Sequence, residues 1–354
     1  MKIAVIGGGI NGVMTAWELC RHNHEVTLFE KNTLMSKTSS TSSKLLHGGL
    51  RYLENLEFSL VKEALRERHW WLNQSTNFVK PIKIFIPIYK NSKRSALLYK
   101  IGLCLYDFLA GKNNIGKHQS HSKNSMQSLC PELKIDGICK GYSYFDAQMD
   151  DYQLGLWAAN KAKENNNLVI HENFLVDKIN NNGEIFFKKN KQKFDKVINV
   201  CGPWANKLLK DSGIDPFQPL QLIRGSHIII NQKLKHGYFL EVPGETRIFF
   251  VLPYMGQTLI GTTEEEQSLT AKINITNSEI DYLLNAFNNY FTKKISKNNI
   301  VSSFSGVRPV IKDTKSISKS SREYKIAKDK NLICVYGGKW TTSRQLAKKV
   351  METI

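Results

Sequence analysis

What this chain lacks narrows it quickly. Its six cysteines, Cys20, Cys104, Cys130, Cys139, Cys201 and Cys334, contain no CxxC pair. That argues against iron–sulfur clusters, structural zinc and a disulfide framework, and no set of metal ligands is expected. Each cysteine reads instead as a small buried apolar residue. No apolar run approaches the roughly 18 residues that a membrane-spanning helix needs. The N-terminus opens directly on a strand pattern with no room for a signal peptide, so a cytoplasmic protein is expected. Only one GxGxxG occurs, which leaves no second nucleotide site for a nicotinamide. Internal repeats and long low-complexity tracts are absent as well.

Negative charge is the other scarcity. Against 50 Lys and Arg stand 31 Asp and Glu, for a net charge of +19. Such a balance suits nucleic acid, an anionic membrane surface or an acidic substrate. Lysine is spread along the whole chain and accompanied by asparagine, as at 165–167 and 180–182, so it reads as a compositional bias and no specific nucleic-acid role is expected. The stretch 80–123 is more lopsided, with Lys83, Lys90, Lys93, Arg94, Lys100, Lys112 and Lys117 against Asp107 alone. Inside it Leu97, Leu98, Ile101, Leu105, Phe108 and Leu109 fall at helical spacing. A basic amphipathic helix can lie in a lipid interface, although packing on its own chain is the commoner fate of such a stripe.

At 354 residues the chain is long enough for two packed domains. KIAVIG at 2–7 is an apolar run suited to a buried parallel strand. Gly7, Gly9 and Gly12 then form GxGxxG before a helical stretch to about His22, and EVTLFE gives a second strand ending at Glu30. Gly7 makes the tight turn, Gly9 lets the main chain approach a pyrophosphate, Gly12 permits close helix packing, and Glu30 accepts ribose hydroxyls. Two later junctions have the same grammar and predict returns to the same sheet. DKVINVCGPWANKLL runs a strand to Val200 and a turn at Gly202 and Pro203. LICVYGGKWTTSRQLAKKV runs a strand to Tyr336, then Gly337 and Gly338 with Thr341 and Thr342 beside a helix start. Between them, 221–263 reads as antiparallel strands, and a capping box at Thr276 and Glu279 opens a helix. Residues 38–52, TSSTSSKLLHGGLRY, supply hydroxyls, a lysine, paired glycines and an arginine, a set suited to a flavin chain and an anionic substrate. The expected fold is α/β with an α+β second domain: a Rossmann-like FAD-binding domain with an inserted antiparallel-sheet substrate domain. Residues 1–78, 146–215 and 300–354 form the first, and 79–145 with 216–299 the second.

The motifs GGGINGVMTAWEL, TSSTSSKLLHGGLRYLE, FDAQMDDYQL, NVCGPWAN, RGSHIII, IGTTEEE, SGVRPV and YGGKWTTSRQLA together resemble the FAD-dependent glycerol-3-phosphate dehydrogenases of the amino-acid-oxidase-like flavoprotein superfamily. The likeness runs in order over essentially the whole chain. It implies FAD contacts from Gly7, Gly9, Gly12, Glu30, Thr38, Ser39, Ser42, Ser43, Lys44, Leu45, His47, Gly202, Gly338, Lys339, Thr341 and Thr342. For the substrate it implies Arg51, Tyr52, His227, Arg308, Arg322 and Lys339. The family usually carries a further C-terminal helical domain, whereas this chain stops at Ile354, so a partner subunit or a homo-oligomer is an expectation.

Oxidation of a secondary alcohol by flavin needs hydride to leave carbon for N5 while the hydroxyl loses its proton, with the carbon held about 3 to 3.5 Å away. Arg308 and Lys339 are expected on the alkoxide side, His227 as general base, and Arg51 with Arg322 as the phosphate grip. Taken alone, His227 would read as a core histidine, Arg322 as solvated surface, Trp70 and Trp71 as core aromatics and Tyr52 as packing. Paired guanidiniums also suit a carboxylate, so oxidation of a 2-hydroxy acid or an amine stays open, as does a non-catalytic flavoprotein subunit. With no nicotinamide motif, the expected electron acceptor is membrane quinone, a partner carrier or oxygen. Quinone is favoured by the basic amphipathic segment, which would place the protein on the inner face of the cell membrane.

Overall fold

The structure is a computed structural model and describes residues 1–312 and 324–354. Eight α-helices are described: α1 (Ile10–Arg21), α2 (Phe58–Gln74), α3 (Ala96–Ala110), α4 (Lys123–Leu129), α5 (Asp151–Lys163), α6 (Ala205–Asp211), α7 (Asn277–Tyr290) and α8 (Ser343–Met351). The opening strand Lys2–Ile6 is central in a six-stranded sheet of order Lys325–Asp329, Leu332–Tyr336, Lys196–Asn199, Lys2–Ile6, Glu25–Phe29, Leu168–His171. All its pairings are parallel except that of the 325–329 edge. Both later strand–glycine–helix junctions therefore do return to the first sheet.

Successive side chains of a strand point to opposite faces, and Lys2–Ile6 divides two cores in this way. Ile3 and Val5 pack into a cluster with Val13 of α1, Leu154 of α5 and Leu346 of α8. Ala4 and Ile6 join Leu208 and Leu209 of α6, with Ile179 and Ile185 from a small three-stranded sheet. A strand apolar on both faces needs helices on both sides, which is why the sheet is parallel and buried.

The second sheet has ten strands. The expected strands of 221–263 are present as Leu220–Ile230, Gly237–Glu241, Ile248–Tyr254 and Gln257–Gly261, and α7 follows with its capping box at Thr276 and Glu279. The sheet extends beyond them. Val79–Tyr89 pairs with Ile138–Met149, and Ile300–Ile311 runs antiparallel to Leu220–Ile230 along its length. The boundaries expected at 145/146 and 299/300 therefore do not follow the sheets. One cuts through Ile138–Met149, and the other assigns Ile300–Ile311 away from the strand it bonds to. Ladder hydrogen bonds between segments far apart in sequence decided this, and no local pattern reports them.

Helix α3 carries two apolar stripes, and the structure buries the one not singled out from the sequence. Tyr99, Leu103, Tyr106 and Ala110 are buried, Leu105 and Leu109 of the expected stripe are half-buried against the same core, and Leu97, Leu98, Ile101 and Phe108 are exposed, Phe108 at 79%. Arg94, read as part of the basic surface, is buried instead. Its guanidinium bonds both oxygens of Glu54, Glu241 and the Thr246 carbonyl. All six cysteines are free. Cys104 and Cys139 are exposed and Cys201 half-buried, so the expectation of buried residues holds for Cys20, Cys130 and Cys334. Among the described residues no helix is long and apolar enough to cross a membrane.

Candidate active site

A cavity of about 760 Å³ opens between the two sheets, a size ordinary for a cofactor with its substrate. One end is built from main chain. Gly7 sits at φ +114°, and a Cβ on Gly12 would lie 1.8 Å from the Gly7 carbonyl oxygen. The Glu30 carboxylate accepts from the Gly8 and Asn32 amides at 2.7 and 2.8 Å, so it both shapes the turn and lines the cavity. Helix α1 begins at Gly9 without a side-chain cap. Its start, beside Gly7 and Gly9 on the cavity wall, suits a diphosphate, although the Ile10 amide is already taken by a side chain. Ser39 Oγ accepts from the Ile10 amide at 2.9 Å, and the Trp340 indole donates to the Ser39 carbonyl at 2.9 Å, which brings three distant turns onto one wall.

The hydroxyl-rich loop is held from behind. Thr38 donates to the Val307 carbonyl at 2.9 Å, tying the loop to the second sheet. Ser42 Oγ donates to Asp151 at 2.7 Å, and the Lys44 ammonium donates to Asp151 at 2.6 Å and to the Ser40 carbonyl at 2.7 Å. Lys44, expected against the cofactor, is thus committed to a buried ion pair and does not line the cavity. Gly12 and Thr342 do not line it either. The first lies against the Gly7 main chain, and the second is buried at the start of α8. Gly7, Gly9, Glu30, Thr38, Ser39, Ser42, Ser43, Leu45, His47, Gly202, Gly338, Lys339 and Thr341 all line it.

The other end is built from side chains. Tyr52, His227, Arg308 and Lys339, from four separate segments, line the same cavity. Lys339 Nζ lies 3.9 Å from the centre of the Tyr52 ring. That nitrogen is buried and has no hydrogen-bond partner among the described residues. His227 is 3% exposed, stacks on Phe304 at 4.8 Å and has Nε2 3.0 Å from Ser43 Oγ. Burial, then the charges of Arg308 and Lys44, push its pKa down to about 3, so the imidazole is neutral at working pH. Arg308 reaches the Thr263 carbonyl at 3.4 Å and lies 3.8 Å from Glu264. Arg51 is half-buried in the turn Leu50–Asn55 but is not among the lining residues, and Arg322 lies outside the described residues.

Three contributors were not singled out from the sequence. Asp151 organises the hydroxyl loop, Glu264 stands beside Arg308, and Trp340 staples two loops together. Asp151 and Glu264 sit in the quoted motifs FDAQMDDYQL and IGTTEEE, but nothing in a run of acids says which one is buried. At the start of α7, against the second sheet, Glu279 accepts from Thr263, Ser226 and Arg224. Burial would raise its pKa, but these bonds and the Thr276 amide hold it down to about 2.

FAD fits this wall, since Gly7, Gly9 and Gly338 line it with main chain alone, each packed within 3 Å of neighbouring protein atoms where a Cβ would stand. The family model for FAD dependent oxidoreductases matches residues 2–352. A glycerol-3-phosphate dehydrogenase of Pseudomonas tolaasii is 36% identical over 99% of this chain and 71% of its own length. A D-erythritol 1-phosphate dehydrogenase of Brucella abortus is 34% identical over 99% and 73%. The solved glycerol-3-phosphate dehydrogenase of Bacillus halodurans, complexed with FAD, shares the fold with a TM-score of 0.80 at 23% identity, covering 100% of this chain and 64% of that one. This chain belongs to the FAD dependent oxidoreductases and, among them, to the glycerol-3-phosphate dehydrogenase family.

Proposed function

We propose that the chain oxidises the secondary hydroxyl of sn-glycerol 3-phosphate to give dihydroxyacetone phosphate. The observation that carries this reading is that Lys339, Arg308 and a buried, neutral His227 line one cavity, with Arg308 near enough to the imidazole to lower its pKa. FAD, when bound, supplies the two-electron acceptor. The remaining work falls to side chains. Arg308 and Lys339 stabilise the developing alkoxide, worth several kcal/mol in a water-excluded site. His227 takes the hydroxyl proton. Burial is the first cause of its low pKa, with the cations Arg308 and Lys44 after it, and the neutral form is the one able to accept a proton. Tyr52 lines the pocket, and the phosphate grip is assigned to Arg51 and Arg322, which for Arg51 requires the side chain to turn toward the cavity from the adjoining turn. The parallel sheet carries the cofactor and the antiparallel sheet the substrate.

A longer polyol phosphate is the second reading, favoured by the similarity to the Brucella enzyme. Anaerobic titration followed at the flavin absorbance separates the two. Bleaching by glycerol 3-phosphate at lower concentration than by erythritol 1-phosphate, with none by lactate, 2-hydroxyglutarate or sarcosine, is the expected result. No bleaching by either polyol phosphate overturns both.

Quinone at an anionic membrane is the acceptor this reading favours. Leu97, Leu98, Ile101 and Phe108 form an exposed apolar face on α3, flanked by exposed Lys93, Lys100, Lys112 and Lys117. Such a face buries readily at a lipid interface. Phe108→Ser with Lys100→Glu should reduce co-sedimentation with anionic vesicles while the flavin is still reduced; unchanged co-sedimentation counts against membrane contact.

A further inference from the structure

Helix α2 lies behind the side-chain end of the cavity and holds two of its loops at once. Three of its residues, Glu67, Arg68 and Trp71, are fully buried. Trp71 donates to the Thr341 carbonyl at 3.2 Å, and Glu67 takes both arms of the Arg344 fork at 2.8 Å, which fixes the loop carrying Lys339 and the helix after it. Arg68 turns to the other loop through Asp146. One carboxylate oxygen, Asp146 Oδ1, accepts from Arg68 at 2.8 Å, from the Tyr106 hydroxyl at 2.7 Å and from the Gly48 amide at 3.2 Å. The Gly48 amide also donates to the Tyr106 hydroxyl at 2.9 Å.

Gly48 opens the turn that delivers Tyr52. At Gly49 φ is +77°, and a Cβ there would lie 2.1 Å from the Tyr52 ring, so that ring rests directly on the turn's main chain. The Lys339 ammonium lies 3.9 Å from the centre of the same ring. An ammonium with no acceptor among the described residues is placed by that aromatic face. A shift of the 48–49 turn therefore moves Tyr52 and Lys339 together.

Stability does not account for the Arg68–Asp146 pair. Its side chains are 1% and 2% exposed, and a buried ion pair replaced by apolar groups of equal volume is often neutral or even favourable. Apolar groups, however, cannot anchor a peptide N–H. We infer that Arg68, Asp146 and Tyr106 are positioning residues that fix the Gly48–Gly49 turn and so set where Lys339 meets the Tyr52 ring. The inference rests on the proposed reading of this cavity end as the place where the substrate reacts.

Tyr106→Phe deletes one hydroxyl and little else. In the FAD-loaded protein, hydrogen exchange of amides in 47–50, read by mass spectrometry, should speed up about tenfold or more. Peptides from 2–21 and 343–351 and the flavin spectrum should not change. Reduction by glycerol 3-phosphate should slow about tenfold in kcat, with KM within about twofold, because the displaced group is Lys339 and not the phosphate grip. Arg68→Met combined with Asp146→Leu removes the pair without stranding a charge and should give the same split. Unchanged exchange at 47–50 in Tyr106→Phe overturns the inference, as does faster exchange with unchanged kcat. A wild-type protein that glycerol 3-phosphate fails to reduce removes the substrate reading instead. The exchange arm then still decides whether Tyr106 holds the turn.

Discussion

The two ends of the cavity are made of different material. At the Glu30 end the wall is main chain: glycine turns, the start of α1 and amides gathered by carboxylate and hydroxyl oxygens. At the Arg308 end it is side chains from four segments, each carried by a different turn or strand. A main-chain site needs only the right residues at the right spacing, because local dihedrals build it. A side-chain site needs the register of a sheet and the buried props behind it. The first tolerates most side-chain changes and fails when a Cβ intrudes. The second fails when one functional group is lost and otherwise keeps its shape.

The strongest way to break this division is at the loop both ends share. Lys44→Met leaves Asp151 buried without its cation, and the expected loss is about 3–5 kcal/mol, seen as a lower urea midpoint together with a weakened hold on FAD. Unaltered stability would mean that the Lys44–Asp151 pair does not prop the hydroxyl loop. Arg308→Ala should separate the ends cleanly. The protein should stay yellow, while reduction by glycerol 3-phosphate slows about 10²- to 10³-fold, measured by anaerobic stopped flow. Loss of colour as well would show that the ends are not independent. Gly12→Ala should do the converse. Its Cβ meets the Gly7 carbonyl oxygen at 1.8 Å, and the main chain must give way at about 1–3 kcal/mol. The expected outcome is weaker FAD retention in equilibrium dialysis, with the substrate end unaffected in whatever fraction stays loaded.

The smallest effect concerns pH. His227 is held neutral in the folded chain down to about pH 3, against an ordinary value of 6.5. Between those values the unfolded chain binds a proton that the folded chain does not, so stability is complete above about 6.5 and declines as pH falls toward 3. The unfolding free energy read from urea titration should therefore drop by about 2 kcal/mol from near pH 7 to near pH 5, and His227→Gln should remove most of that slope. A slope unchanged in the variant would assign it to other groups.

Helix α3 shows where sequence reading stops. Both of its apolar stripes have helical spacing, and the one richer in leucine is the natural choice for burial. The structure buries the tyrosine stripe because its hydroxyls find partners inside: Tyr99 donates to Glu241 at 3.2 Å and Tyr106 to Asp146 at 2.7 Å. Without those carboxylates two buried hydroxyls would be costly. Arg94 follows the same logic, drawn inward by Glu54 and Glu241, from segments that lie 40 and 147 residues away in sequence. No window of local sequence contains these partners.

The sequence by itself determined the glycine turns, the strands and helices on either side of them, and the residue types that a flavin and an anion require. These follow from allowed dihedrals, apolar periodicity and functional-group chemistry, all of which act within a few residues. Tertiary structure alone decided that Ile300–Ile311 joins the second sheet, that Lys44 answers Asp151 inside the protein, and which face of α3 meets solvent. Each is a choice between partners remote along the chain, made by the free energy of burying a polar group with its match.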